Sequence, residues 1–282
     1  MRVLNTEKII DPLAQAVEQA LCNVEPAVLR KLEDAAKTES GKEAKWAIDK
    51  LIENGETAAK THSFACQDTG LAVVFAEVGQ SLKLEGMLLC DAINEGIRRG
   101  YKTARKSVAC PLSRVNTKDN TPAVIHTEIA DGDKLTLYYL AKGAGSENMS
   151  RIYMLTPSKG RDGIIAAATD AVKSAGANPC PPVILGIGIG GTMEKAALLS
   201  KKALLRECGK PSNDTEVAAL ESDILAAVNA LKIGAQGFGG DVTALSVSAE
   251  IFPTHIGMLP VAVNIQCHSS RHAHLVFEGE EK

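Results

Sequence analysis

Apolar positions recur at helical spacing through the first part of the chain and then give way to short apolar runs separated by Gly, Pro and polar clusters. Ile9, Ile10, Leu13, Val17 and Leu21 share one helical face, and Thr6 stands where a capping hydroxyl belongs. Pro26 falls early in a second helix, where a missing N–H costs little. Gly41 precedes a third, with Trp46, Ile48, Leu51 and Ile52 expected to face the core. Residues from about 1 to 62 thus read as a helical N-terminal portion. Residues 64–70 break the pattern, and residues 71–78 read as a short strand. A long helix is expected over residues 84–106, ending in a basic turn with Arg98, Arg99, Lys102, Arg105 and Lys106. Residues 108–122 are loop-like. Residues 123–129 and 134–141 alternate around Asp131-Gly132-Asp133 and predict a hairpin. Helices are expected over 163–175, 192–205 and 215–231, and strands over 183–189, 242–251 and 259–265. This mixture predicts an α/β (mixed α+β) fold, a β-sheet flanked by helices. No internal repeat or linker stands out, so residues 1–282 read as a single domain.

Charge and composition narrow the function. The net charge of -3 carries no basic patch, so no nucleic-acid partner is expected. No apolar run approaches the ~20 residues that cross a bilayer, so no membrane association is expected either. The start Met-Arg-Val-Leu-Asn-Thr-Glu lacks the apolar core of a secretion signal, and a cytoplasmic location follows as the expectation. Seven cysteines without tight regular spacing do not read as a disulfide scaffold. There is no Cys-x-x-Cys pair, so a metal site must be assembled from distant segments.

Three cysteines sit in such segments. Cys66 is followed by Gln67, Asp68, Thr69 and Gly70, a poor core environment and a good site wall. Cys180 stands in Asn178-Pro-Cys-Pro-Pro182, where prolines stiffen the backbone. Cys267 ends an apolar run and precedes His268, Ser269, Ser270, Arg271, His272 and His274, a tail that is either a solvated edge or a cradle for anions. His255, in Pro253-Thr-His255 between two strands, is a candidate acid, base or hydrogen-bond donor. Of the other cysteines, Cys22 and Cys90 read as core, Cys208 as exposed, and Cys110, in a polar loop, as the competing ligand. Gly186-Ile-Gly-Ile-Gly-Gly191 fits a dinucleotide fingerprint, and Glu207 lies near the ribose-binding position. Glu207 follows a helix, however, and no βαβ unit closes, so the glycines read as permitting close strand–helix approach. The Gly-rich loop Lys142-Gly-Ala-Gly-Ser-Glu-Asn148 lacks a Walker ending; it is either an anion-binding nest or a plain exit loop.

Taken in order, Cys66-Gln-Asp-Thr-Gly70, Arg114-Val-Asn-Thr-Lys-Asp-Asn-Thr-Pro122, Lys142-Gly-Ala-Gly-Ser-Glu-Asn148, Asn178-Pro-Cys-Pro-Pro182 and Pro253-Thr-His255 with Cys267 resemble the iron–sulfur (class I) fumarate hydratases. The resemblance is to the α subunit of the two-subunit form, related to the L-tartrate dehydratase α subunit. It implies that Cys66, Cys180 and Cys267 hold a 4Fe-4S cluster. It implies that Gln67, Arg105 and Gly145 bind a small dicarboxylate, with Lys106 or Arg114 in the place of Arg105 if the register shifts. It implies that Asp68 and His255 take catalytic roles in the same pocket. A β subunit carrying the second catalytic domain is the implied partner, in an α2β2 assembly or with an α homodimer, and the carbon base is implied to lie there. The loop departs from the family's Lys-Gly-Gly-Gly by carrying Ala144, while Ser146-Glu147-Asn148 and His255 favour fumarate over tartrate.

The chemistry implied is reversible addition of water across a double bond beside a carboxylate, interconverting fumarate and (S)-malate, a tricarboxylic acid cycle step. An open iron acts as Lewis acid, and cationic or N–H groups clamp the remote carboxylate. Two other readings carry different expectations: a non-catalytic electron carrier, with Cys110 as fourth ligand, and a nucleotide-binding oxidoreductase built on Gly186–Gly191.

Overall fold

A computed structural model describes residues 2–281. The elements in chain order are β1 (Arg2–Asn5), α1 (Ile10–Cys22), α2 (Pro26–Thr38), α3 (Lys42–Thr61), β2 (Leu71–Gly79), β3 (Leu82–Glu85), α4 (Leu89–Gly100), β4 (Val124–Ala130), β5 (Lys134–Lys142), a helical turn α5 (Ala144–Glu147), β6 (Arg151–Leu155), α6 (Gly160–Ala175), β7 (Val183–Gly190), α7 (Met193–Ala203), α8 (Thr215–Asn229), β8 (Ala244–Phe252), β9 (Leu259–Gln266), β10 (His272–Glu278) and β11 (Glu280–Glu281). The fold is mixed α/β, with three mixed sheets and a helical N-terminal region. It divides into two compact units, one of residues 2–25, 58–143 and 271–281, the other of residues 26–57 and 144–270.

The first unit holds the sheets β11-β1-β3 and β10-β5-β2-β4. Leu13, Val17 and Leu21 of α1 and Ile93 and Ile97 of α4 face one core with Val74, Leu137 and Tyr139. That is the helical face read from the sequence, buried because apolar area leaves water. Thr6 does not cap it. The Asn5 carboxamide accepts the Glu7 N–H instead, and the Thr6 hydroxyl, fully buried, donates to Glu85 and Met87 carbonyls.

The hairpin expected across Asp131-Gly-Asp133 does not form. β2 lies between β4 and β5, parallel to the first and antiparallel to the second. The turn instead closes over the end of β2, where Gln80 N–H meets the Ala130 carbonyl and Ser81 N–H the Gly132 carbonyl. Local turn chemistry was right and pairing was wrong, because a third strand fits the gap. The helix expected over 84–106 is shorter: residues 82–85 are a strand beside β1, and α4 spans only Leu89–Gly100. Trp46, expected in the core, is 58% exposed, whereas Ile48 is fully buried. The His/Arg-rich tail divides. Ser269, Ser270 and Arg271 are buried, while the residues from His272 on form the edge strand β10 along residues 134–140 of β5, with exposed His274 stacked on Tyr138. Burial, with some help from Arg271, pushes His272 down to about 4, so this ring is neutral and adds no cation.

The second unit is built on the sheet β6-β9-β7-β8. Val183, Leu185, Ile187 and Ile189 face a core shared with α6 and α8, while α7 covers the opposite face. With both faces covered, β7 reads as a continuous apolar run. Gly186 and Gly188 let α7 lie directly on the strands: a Cβ at Gly188 would stand 1.9 Å from the Ala196 carbonyl oxygen, and one at Gly186 2.0 Å from that of Ser200. These glycines serve helix–strand approach, but the expectation that no βαβ unit closes is overturned. After α7 and α8 the chain returns as β8, parallel to and beside β7, because the turn over residues 209–214 leads into a second helix and back to the sheet.

Candidate functional site

In the second unit, the site begins with strand direction. β7 and β9 are antiparallel, and Ile184 pairs with Gln266. The start of β7 and the end of β9 therefore share one sheet edge. Cys180 lies three residues before β7 and Cys267 directly after β9, so both thiols sit at that edge. The His268 Nδ1–H donates to the Cys180 carbonyl at 2.9 Å and fastens the two segments. Gln236 holds the next residue, its backbone N–H and side-chain amide both donating to the Pro181 carbonyl at 2.7 and 2.9 Å. Cys180 is exposed and left-handed, with φ 55.

The Gly145 turn meets the same segment. Gly145 belongs to α5, and an added Cβ there would find only the Asn178 carbonyl oxygen, at 3.6 Å. Among the described residues, nothing demands glycine at this place. Glu147, the last residue of the turn, binds Lys201 of α7 and accepts a 3.4 Å hydrogen bond from Asn264 of β9. Ser150 ties the following residues to β9 by accepting the Ile265 N–H.

In the first unit, Cys66 is half-buried, Gln67 exposed and Asp68 half-buried. Asp68 closes a tight turn by accepting the Gly70 N–H at 2.9 Å. Two buried groups hold its backbone. Arg271, fully buried, donates to the Asp68 carbonyl at 2.8 Å, and the Tyr101 hydroxyl donates to the Thr69 carbonyl at 3.1 Å. Tyr101 and Tyr139 share a 2.7 Å hydrogen bond. Burial pushes Tyr101 up to about 12 and Tyr139 well above the ordinary phenol range, so both stay protonated donors.

Arg105 is exposed, with its carbonyl fixed to this turn by the Thr69 hydroxyl at 3.0 Å. The two alternatives in its register are placed differently. The Lys106 ammonium is spent on the carbonyls of Tyr101, Lys102 and Ala104 at the end of α4. Arg114 stands at the tip of the 108–122 loop in a left-handed conformation.

His255 is not at the edge with Cys180 and Cys267. It lies in the turn between β8 and β9, and the eight residues of β9, roughly 26 Å of strand, separate that turn from Cys267. Its Nδ1 accepts the Gly257 N–H at 3.0 Å, and Thr254 beside it donates to the Gly191 carbonyl. Of the remaining cysteines, Cys22 is buried as expected. Cys90 is exposed rather than core, because α4 turns it outward, and Cys208 is buried rather than exposed, its thiol 3.3 Å from the Ser246 hydroxyl. Cys110 is exposed in its loop, where Ser113 hydrogen bonds pull the thiol below its ordinary range.

All seven thiols are free of disulfides. Among the described residues, no three His, Cys, Asp or Glu side chains close on a single ion. A four-iron cluster asks for something else. It would take soft thiolate donors, and thiols at the ends of ordered segments are donors of that kind. The sequence does not single out Tyr101, Lys201 or Gln236 as supports; Arg271 reads only as part of the tail after Cys267, and Thr69 and Asn120 only as polar members of the recognised motifs.

What these features define first is a mixed α/β protein in which Cys180, Cys267 and a glycine turn lie at one end of the second unit's sheet. A family model described as Fumarate hydratase (Fumerase) matches residues 10–276. The chain is 39% identical over 274 residues to a Methanocaldococcus jannaschii protein named "Putative L(+)-tartrate dehydratase subunit alpha", covering 94% of this chain and 96% of that one. It is 31% identical over 264 residues to the L(+)-tartrate dehydratase subunit alpha of Escherichia coli K12, covering 89% and 86%. The chain belongs to the fumarate hydratase (Fumerase) family. Among the described residues, no helix is long and apolar enough to cross a membrane.

Proposed function

We propose that this chain is the cluster-bearing α subunit of a hydro-lyase that adds water to, and removes it from, a small dicarboxylate. The observation that carries the reading is the shared edge of β7 and β9, where Cys180, Cys267 and the Gly145 turn meet. Cys66, Cys180 and Cys267 would hold a 4Fe-4S cluster. Such a cluster, with three protein thiolates, supplies an open iron acting as Lewis acid toward a hydroxyl and a carboxylate. Cys180 tolerates a left-handed conformation that glycine or asparagine adopts at less cost, as expected where geometry is retained for a ligand.

The chain's own residues then have distinct tasks. Arg105 pairs with the remote carboxylate, and the Gly145 N–H adds a second donor. Gln67, exposed beside Cys66, orients the substrate. Asp68, held by Gly70 and Arg271, accepts or relays a proton at its carboxylate. His255 stands a strand's length from the Cys267 edge, so we assign it no task in its own chain's pocket; only a second copy of the chain can present it there. The carbon base is assigned to the partner β subunit, a partner that the relatives' designation as subunit alpha also suggests.

Two substrates are supported equally. The family description and the Ser146-Glu147-Asn148 turn favour fumarate and (S)-malate, while the names of the relatives favour L-tartrate. Anaerobic reconstitution with the partner chain, followed by assay against fumarate, malate and both tartrates, decides between them. The chain alone is expected to take up the cluster and show little turnover. Full turnover by the isolated chain, or none by the reconstituted pair on any of the four, would contradict the proposal.

Gly145→Ala gives a second check. Because the chain leaves room for the added methyl, the melting temperature should hold within about a degree. KM should rise about tenfold as the methyl enters the space the dicarboxylate needs and holds it off the retained N–H, the order of one weakened hydrogen bond. An unchanged KM would remove Gly145 from the binding set.

A further inference from the structure

Arg105 is exposed and long, and a flexible arginine loses affinity by having to be ordered when substrate arrives. Its backbone is nevertheless fixed by two buried side chains. The Arg105 carbonyl accepts two hydrogen bonds, from the Thr69 hydroxyl at 3.0 Å and from the Asn120 amide at 2.7 Å. Both donors are buried, Thr69 at 1% exposure and Asn120 at 0%.

Asn120 does more than donate. Its carbonyl oxygen accepts the N–H groups of Ser107 at 2.6 Å and Val108 at 3.3 Å, so one side chain spans residues 105–108. It does this from a left-handed backbone conformation, φ 60, which asparagine tolerates better than most residues. The neighbouring residues brace it. Asp119 accepts from the Thr121 N–H and hydroxyl and pairs with Arg98. Burial pushes that carboxyl up, but Arg98 and Thr121 outweigh it and hold it down at about 2. Asn116 donates to the Lys106 carbonyl. On the other side, Thr69 is itself pinned by Tyr101 and lies three residues beyond Cys66.

We infer that Thr69 and Asn120 are positioning residues that clamp the Arg105 backbone to the Cys66 turn, and so set where its guanidinium meets the substrate carboxylate. The inference rests on the proposed role of Arg105. It explains why two buried donors converge on one carbonyl when a single one satisfies it. It also gives a task to the Asn-Thr-Lys-Asp-Asn120 stretch, whose Asp119 ties the loop to Arg98 of α4 and whose Asn120 ties it to Arg105.

The test uses the reconstituted pair with whichever of fumarate, malate or tartrate it turns over. Thr69→Val keeps the shape and removes the donor; Thr69→Ser keeps the donor. Asn120→Asp keeps the acceptor for Ser107 and Val108 and removes the donor to Arg105. Thr69→Val and Asn120→Asp should each raise KM about fivefold, the factor expected for one lost hydrogen bond, with kcat changed less than twofold. Thr69→Ser should restore the wild-type KM, and the visible spectrum of the loaded protein should be the same in all three. Asn120→Asp keeps the inference testable if Thr69→Val fails to fold. Arg105→Met separates the two levels. If Arg105→Met leaves KM unchanged, the role of Arg105 fails. If Arg105→Met raises KM but Thr69→Val and Asn120→Asp do not, or if kcat falls with KM unmoved, the clamp fails while Arg105 stands.

Discussion

Replacing Cys66, Cys180 or Cys267 singly with serine is expected to abolish the brown chromophore of the anaerobically reconstituted protein and to reduce its bound iron to background. A hydroxyl is a hard, weakly acidic donor and does not substitute for a thiolate at iron. Activity of the αβ pair should fall with the colour, to the limit of detection. The contrast lies in the other cysteines. Cys90→Ser and Cys110→Ser change exposed side chains, and Cys22→Ser changes a buried one whose thiol donates to the His62 carbonyl. All three should keep full colour. The measurement is visible absorption and iron content, protein by protein. Full colour in any of the first three variants would break the ligand set. Loss of colour in Cys110→Ser would favour the four-ligand electron carrier, because only that reading uses Cys110.

The second large effect is on stability. Gly188→Ala places a methyl 1.9 Å from the Ala196 carbonyl and 2.5 Å from the Ser200 amide, both backbone atoms that cannot step aside. Either α7 lifts from the sheet or β7 bends; overpacking costs about 1–3 kcal/mol, and a clash with backbone on this scale belongs at the upper end. The expected result is a melting temperature lowered by 5 °C or more, on the order expected for that loss, or a protein that fails to accumulate. The same experiment separates two uses of the glycines. A nucleotide loop would tolerate the change in its fold and lose binding. A packing seam loses the fold, and titration of the wild-type protein with NAD or NADP should show no binding.

Much of the architecture was legible because period and punctuation agree in it. Ile9 to Leu21, the Pro26 helix start and the apolar run of β7 are short-range statements, and the structure keeps them. What failed was long-range. The Asp131-Gly-Asp133 turn is genuine, yet its two strands are parted by β2, and no local signal announces an intervening strand from sixty residues upstream. The polar, His-rich look of residues 272–278 hid a strand, because it pairs along β5 with alternating half-exposed positions. Cys90 and Cys208 exchanged their expected places for similar reasons. One falls on the outer side of α4, and the other is covered by β8 through Ser246.

At the site, residue types were readable and their supports were not. Cysteines beside Gly, Pro and carboxamide residues announced themselves, and the structure sets Cys180, Cys267 and Gly145 at one edge. His255 had the same kind of signal, a histidine in a turn between strands, and the opposite placement, since strand direction puts that turn at the far end of β9. The groups that hold the Cys66 turn, Arg271 and Tyr101, come from a buried strand start and a helix end. Burial of an arginine is a tertiary fact that a sequence window does not contain.

The measurement that bears most directly on the account is Mössbauer spectroscopy of the iron-57-loaded αβ pair, with and without dicarboxylate. Three protein thiolates leave one iron chemically distinct. Adding malate or tartrate should shift a quarter of the iron signal and leave the rest in place, and mild oxidation should release that same quarter. A spectrum in which all the iron responds alike, or in which no iron responds to either dicarboxylate, would contradict the account.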